Sequence, residues 1–368
     1  MMPAEKIVLD SISADLSVVA GDAIAATQAG VCLDDEGHGV GLSLQDASLH
    51  ALPRQISELA WLQSLYLQGN SLTTLPETLG GLHELRFLNL NGNPITELPD
   101  SFWELANLRV LFLGETQLAR LDERIANLQS LEELYIHANL FQALPDALGD
   151  LPNLRILDLG HNKNLRELPS GLGKLSQLDI LYASDGQLQG IPDDLRHLRS
   201  LRYLNLTDNQ LTTLPDWLGQ LSTLIELRLY NNRLRDLPAS FSDLVNLREL
   251  HAMNNSLFAL PERIGNLRDL RKLDLQGNSL HTLPDSIGSL KRLWSLNLRN
   301  NDLGILPDSI GGLTQLVELD LRANNLDTLP PTLAELPNLQ KLDLRWNAFM
   351  TFPSWLADLE ARGCLVFK

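Results

Sequence analysis

Cysteine is almost missing from this chain. Its two copies, Cys32 and Cys364, lie near opposite ends of 368 residues, so no disulfide framework carries the fold and a reducing compartment is the expected setting. No long apolar run occurs, and the amino terminus carries Glu5, Asp10 and Asp15, which speaks against a secretory signal or a membrane span. Positive charge is scarce as well. The 29 basic residues stand against 46 acidic ones, a net charge of −17, which disfavours broad contact with nucleic-acid phosphate or an anionic membrane surface. Catalytic signals are also lacking: no serine, histidine and aspartate arrangement stands out, and Gly37-His38-Gly39-Val40-Gly41 lacks the following helix that phosphate binding needs. These absences lead us to expect a cytoplasmic protein that is not an enzyme and uses no cofactor. Delivery into another cell by a secretion system would leave no signal among these residues.

What the chain has in abundance is one phrase. Leu-x-x-Leu-x-Leu-x-x-Asn recurs every 23 residues and ends at Asn70, Asn93, Asn139, Asn162, Asn209, Asn232, Asn255, Asn278, Asn301, Asn324 and Asn347. Thr116 and Gly186 hold the two missing places, Ala47 holds a degenerate first one, and one extra residue near Lys163-Asn164 breaks the count. The paired leucines point inward from a short strand and the residues between them face out, because side chains alternate along a strand. Asparagine follows where the chain leaves the sheet; its amide carries donors and an acceptor for backbone groups of its own turn and the next. Each repeat then continues Leu-Pro-x-x-Leu/Ile-x-x-Leu, with an acid often after the proline, as at Glu77, Asp100 and Asp146. Proline suits a first helical position and acids suit a helix amino end, so short helical turns are expected on the outer side. Asp122 alone replaces the proline.

These units resemble leucine-rich repeats, and the Leu-Pro wording resembles the 23-residue intracellular Ras-group class, which has animal, plant and bacterial members. The resemblance covers roughly residues 39 to 368 and is specific for fold, because register is kept through the array. It implies an α/β leucine-rich repeat solenoid, a horseshoe with a parallel concave β-sheet and short helical or 3-10 turns on the convex side. It further implies a protein-binding scaffold without catalysis.

A solenoid needs caps, since open ends expose its leucines. Residues 1–38 are expected to form a helical amino-terminal cap, helical over 5–30, with Ile7, Leu9, Ile12, Leu16, Val19 and Ile24 facing the first repeat. About fourteen repeats then fill 39–352, and 353–368 make the second cap, with Leu365 and Phe367 in the inward register of a final strand. One continuous right-handed arc is the expectation.

Function is sought in departures from the default wording. Tyr66, Phe87, Val110, Phe112, Tyr135, Ile156, Ile180, Tyr182 and Tyr203 sit at outward strand positions that leucine packing does not require, and contiguous apolar surface marks interaction sites. The earlier repeats add Glu115, Glu133, Asp158 and Asp185 on the concave face with no base, and depart from the asparagine ladder around Gly114, Thr116, His137 and Gly186. The candidate partner-binding residues are therefore Phe87, Phe112, Glu115, Glu133, Tyr135, His137, Asp158, Tyr182, Asp185 and Tyr203. Glu115, His137, His161 and Asp185 are of types that bind zinc, but polar residues are normal at such a rim and no metal is assigned. In the later repeats Asp274, Asp320 and Asp343 precede Gln276, Arg322 and Arg345 by two, so the arginines are expected to be neutralised by the adjacent acids. The primary reading is a noncatalytic scaffold binding a protein, apolar with a basic rim, chiefly through repeats 3 to 8. The alternative is the substrate-recognition arm of a bacterial effector or ubiquitin-ligase-type enzyme whose catalytic domain lies outside this chain.

Overall fold

The computed structural model describes residues 3–12, 17–18, 24 and 29–368. The chain falls into two units, Met1–Tyr182 and Ala183–Lys368, each built from the same repeated turn of chain.

In the first unit, strands β1 (Ser17–Val18) and β2 (Ala29–Leu33) are parallel, β2 and β3 (Gly39–Leu44) form an antiparallel hairpin, and every later strand is parallel to the one before. The later strands are three residues each: β4 (Ser64–Tyr66), β5 (Phe87–Asn89), β6 (Val110–Phe112), β7 (Glu133–Tyr135), β8 (Ile156–Asp158) and β9 (Ile180–Tyr182). Leucine aligns with leucine in every step, Leu65 with Leu88, Leu111, Leu134, Leu157 and Leu181, and all of these are fully buried. The second unit repeats the plan with β10 (Tyr203–Asn205), β11 (Glu226–Arg228), β12 (Glu249–His251), β13 (Lys272–Asp274), β14 (Ser295–Asn297), β15 (Glu318–Asp320), β16 (Lys341–Asp343) and β17 (Leu365–Phe367).

The asparagine ladder works backwards rather than forwards. Asn93 Nδ2 donates to Leu90 O of its own turn and to Leu67 O of the preceding one, while its Oδ1 accepts from Leu72 N. The same three bonds recur at Asn70, Asn232 and Asn301. The residue before the asparagine is left-handed in almost every repeat, from Gly69 (φ 70) through Glu115 (φ 54) and His161 (φ 58) to Trp346 (φ 60). Glycine meets this demand without strain; other residues do so at a cost of roughly 1 kcal/mol.

The outer turns are 3-10, with proline just before most of them: Glu77–Gly81, Asp100–Glu104 and Asp146–Asp150 are examples. At Asp122 the missing proline is replaced by a side-chain cap, since the carboxylate accepts from Arg124 N at 2.9 Å. A small residue four positions after the proline lets successive turns close up. A Cβ on Gly149 would stand 1.8 Å from Gly171 O, and one on Gly80 would stand 2.2 Å from Ser101 O.

Both caps differ from expectation. Helix α1 spans Pro3–Ile12, but the chain then enters β1 and β2 instead of remaining helical to residue 30. Leu9 and Ile24 are buried as expected, whereas Ile7 is 72 % exposed; Leu16 and Val19 lie outside the described residues. Glu5 seats α1 by accepting from Gly39 N at 3.3 Å. At the other end α2 (Leu356–Ala361) delivers β17 with Val366 opposite the inward Leu342, so Leu365 and Phe367 align with the outward Lys341 and Asp343. Cys364 takes the buried place ahead of them.

Candidate functional site

Two side-chain rows run over the open face of the first unit. Phe87, Val110, Glu133, Ile156 and Ile180 are in register in one, and Tyr66, Asn89, Phe112, Tyr135, Asp158 and Tyr182 in the other. Four rings join them. Tyr66 and Phe87 lie 4.6 Å apart between centroids, Phe87 and Phe112 5.6 Å, and Phe112 and Tyr135 4.3 Å with their planes 2° apart. Phe87 leans across from its own row to bridge the gap that Asn89 leaves. All four rings are half-buried rather than exposed, because each covers part of the next, as cross-strand aromatic pairs do.

Polar groups fix this ribbon on one side. Tyr135 Oη donates to Glu133 Oε2 at 2.9 Å, and burial together with that neighbouring carboxylate pushes the phenol above its ordinary pKa. His137 Nδ1 stands 3.4 Å from Asp158 Oδ2. The Asp158 carboxylate, reinforced by Glu115, raises the His137 pKa despite partial burial. The ring occupies the space above Gly114, where a Cβ would come within 2.4 Å of it. Gly114 and His137 thus form one arrangement spread over two repeats, and the first accounts for the second.

Arginines border the other side. Arg86, Arg109 and Arg155 are exposed and directly precede β5, β6 and β8; Arg109 reaches Glu132 at 3.4 Å. Glu132 and Asp179 precede β7 and β9 in the same row, so this edge carries three arginines and two acids. Val110–Phe112, which follow Arg109, form β6, paired on both sides with Leu111 fully buried.

The structure therefore brings Phe87, Phe112 and Tyr135 together, sets Glu133, His137 and Asp158 beside them, and places Tyr182 in register with Asp158. Glu115 is exposed at a left-handed turn position. Asp185 and Tyr203 belong to the second unit, where the Arg228 guanidinium lies 5.5 Å from the Tyr203 ring centre.

Further along the second unit the arginine column is paired as expected. Arg322 Nε donates to Asp320 at 2.9 Å and lies 3.4 Å from Asp343, and Arg345 donates to both oxygens of Asp343 at 2.9 and 2.7 Å. Asp343 is buried, which opposes ionisation, yet the bonds from Arg345 and the charge of Arg322 hold its carboxyl below the usual range. Arg345 is also 5.5 Å from the Trp346 ring and 5.1 Å from Phe367.

On the outer side Trp103 stands four residues after its proline, where Gly80 stands in the preceding turn and Gly149 two turns later. Its bulk goes with a cleft of about 860 Å³ lined by Thr96, Glu97, Leu118, Arg120 and Arg124. The Trp103 Nε1 is buried with no hydrogen-bond partner among the described residues.

Family models agree with this architecture. One described as leucine rich repeat matches residues 41–95, 199–257, 259–303 and 304–349, and one described as leucine-rich repeat region matches 77–183. The chain belongs to the leucine-rich repeat family. Among solved structures it is similar to a leucine-rich repeat protein of Leptospira interrogans, at 31% identity over 96% of this chain and 100% of that one, with a TM-score of 0.72. YopM from Yersinia enterocolitica is 29% identical over 83% of this leucine-rich repeat chain and 60% of its own, with a TM-score of 0.64. The Drosophila Toll–Spatzle complex contributes a chain 27% identical over 87% of this one and 46% of its own, with a TM-score of 0.79. No curated protein matches the chain. No described helix is long and apolar enough to cross a membrane.

Proposed function

We propose that this leucine-rich repeat protein is a noncatalytic recognition scaffold, and that the open sheet face of its first unit binds a protein segment. The observation that carries this reading is the run of four touching rings, Tyr66, Phe87, Phe112 and Tyr135, between an arginine edge and an edge of carboxylates with His137. Aromatic anchors supply contact area at low entropic cost, and opposite charge on the two edges fixes a partner's orientation. A suitable partner presents an apolar strip with bases toward Glu133 and Asp158 and acids toward Arg86 and Arg155. The repeat solenoid in the Toll–Spatzle complex is a precedent for protein binding by this fold. We place the work in a reducing cytoplasm, because Cys32 and Cys364 are both free and buried and burial raises the Cys364 thiol pKa, which makes it a poor nucleophile.

The test is selection of binders from a displayed library of protein fragments, followed by affinity measurement with variants. Phe112→Ala and Tyr135→Ala should each weaken the selected binder about 30-fold or more, the scale of a central aromatic anchor. The reading fails if both variants, still folded, bind the selected fragments as wild type does.

A further inference from the structure

We propose that Glu226, Glu249 and His251 form a binding site for one divalent ion of the zinc class, on the sheet face of the second unit. Two adjacent strands build it. Glu226 and Glu249 are directly in register between β11 and β12, and Arg228 is in register with His251. Like charges placed opposite one another in a sheet repel, so these two carboxylates create a demand for a cation between them. His251 answers it from the neighbouring row. His251 is 8 % exposed as a residue, and its Nε2 lies 3.2 Å from Glu249 Oε2 and 3.9 Å from Glu226 Oε1.

Those separations suit a metal. With ligand bonds of about 2.0–2.2 Å, a tetrahedral zinc ion sets its ligands roughly 3.3–3.5 Å apart, and the three ligand atoms here already lie within 4.8 Å of one another. One histidine nitrogen and two carboxylates are a borderline ligand set that favours zinc over calcium or magnesium. Three protein ligands leave a fourth position for water or for a group from a partner.

Positive neighbours set the strength. Arg228 Nε donates to Glu226 Oε1 at 2.7 Å, and Lys272 is in register with Glu249, while Asp274 is in register with His251. A carboxylate oxygen accepts two bonds, so Arg228 orients Glu226 and leaves a lone pair for the ion. Its charge and that of Lys272 hold the affinity to the order of micromolar, well short of a structural zinc site. Among the described residues this is the single group of histidine and carboxylates close enough to share an ion.

The experiment is calorimetric titration of chelator-stripped full chain with zinc chloride, repeated with cobalt(II) to read the visible absorption of the bound ion. One ion per chain should bind, with loss of affinity by at least tenfold in His251→Ala, Glu249→Gln and Glu226→Gln. His137→Gln should bind as wild type does. The two glutamine variants are isosteric at half-exposed positions, so they decide the matter if the alanine variant fails to fold. No saturable binding below about 1 mM, or unchanged binding in the glutamine variants, overturns the proposal.

Discussion

Replacing Asn93 with alanine should destabilise the protein more than replacing Asn139, although the two residues hold the same place in the repeat. In Asn93→Ala the carbonyl of Leu67 keeps the amide of Asn70 at 2.8 Å. Leu90 O loses its donor, because the next ladder position is Thr116 and its hydroxyl turns to Leu113 O and Asn139 instead. Leu72 N also loses its acceptor. Two buried backbone groups are left bare, at roughly 1–3 kcal/mol each, so a cost of about 4 kcal/mol follows. In Asn139→Ala, Ile136 O keeps the amide of Asn162 at 3.0 Å, and Leu113 O keeps the Thr116 hydroxyl at 3.1 Å, which the lost Oδ1 no longer draws away. Only Leu118 N is stranded, so about 2 kcal/mol is expected. Urea titration followed by circular dichroism measures the difference, with hydrogen exchange at Leu72 and Leu118 as the local readout. A water entering either void lowers both values without reversing them. If Asn139→Ala proves the more damaging of the two, the accounting of ladder bonds is wrong.

Gly149→Ala should cost several kcal/mol, since its Cβ would fall 1.8 Å from the Gly171 carbonyl and backbone must move; Gly190→Ala, with nothing within 4 Å, should be near neutral, and thermal melts of the pair check this. Asp122→Ala should cost about 1 kcal/mol for the lost cap, whereas Asp122→Pro, restoring the residue that other turns use, should recover most of it. The carboxyl itself, held down by Arg124, should titrate at about 2 by carbon NMR. The folded His137 pKa is raised by Asp158, so their attraction stabilises the fold fully below the ordinary imidazole value of about 6.5 and is lost as pH rises through the raised one. Proton NMR should place His137 above that value, and Asp158→Asn should bring it down; an unmoved titration would refute the pairing.

The repeat was legible because burial admits few alternatives. Leu65, Leu88 and Leu111 meet the same neighbours in every turn, and Asn93 has three backbone partners that no other side chain serves at once. The caps were less so, since no periodicity reaches them. The β2–β3 hairpin turns at Asp34–Gly37, where Gly37 N donates to Asp34 O and the Asp34 side chain accepts from Glu36 N and His38 N; this turn chemistry sits among residues read as a helix and its exit. The register of β17 departs from the leucine alternation because the stretch through α2 runs one residue longer than the repeat, so Val366 and not Leu365 falls opposite Leu342.

The open face obeys a different rule, which is why its residues were found and their partners were not. An outward side chain is constrained mainly by the one 23 or so positions away, and that relation is visible only once strands are in register. Gly114 looks like drift until His137 lies on it; Asn89 looks like a break in the aromatic row until Phe87 crosses to Phe112. Glu226, Glu249 and His251 look like default wording until the ladder brings two carboxylates and a buried imidazole together. Each of these groups spans two adjacent repeats, so no single repeat shows it. Binding chemistry in such a chain is therefore written between repeats, and a reading taken one repeat at a time recovers its letters without its contacts.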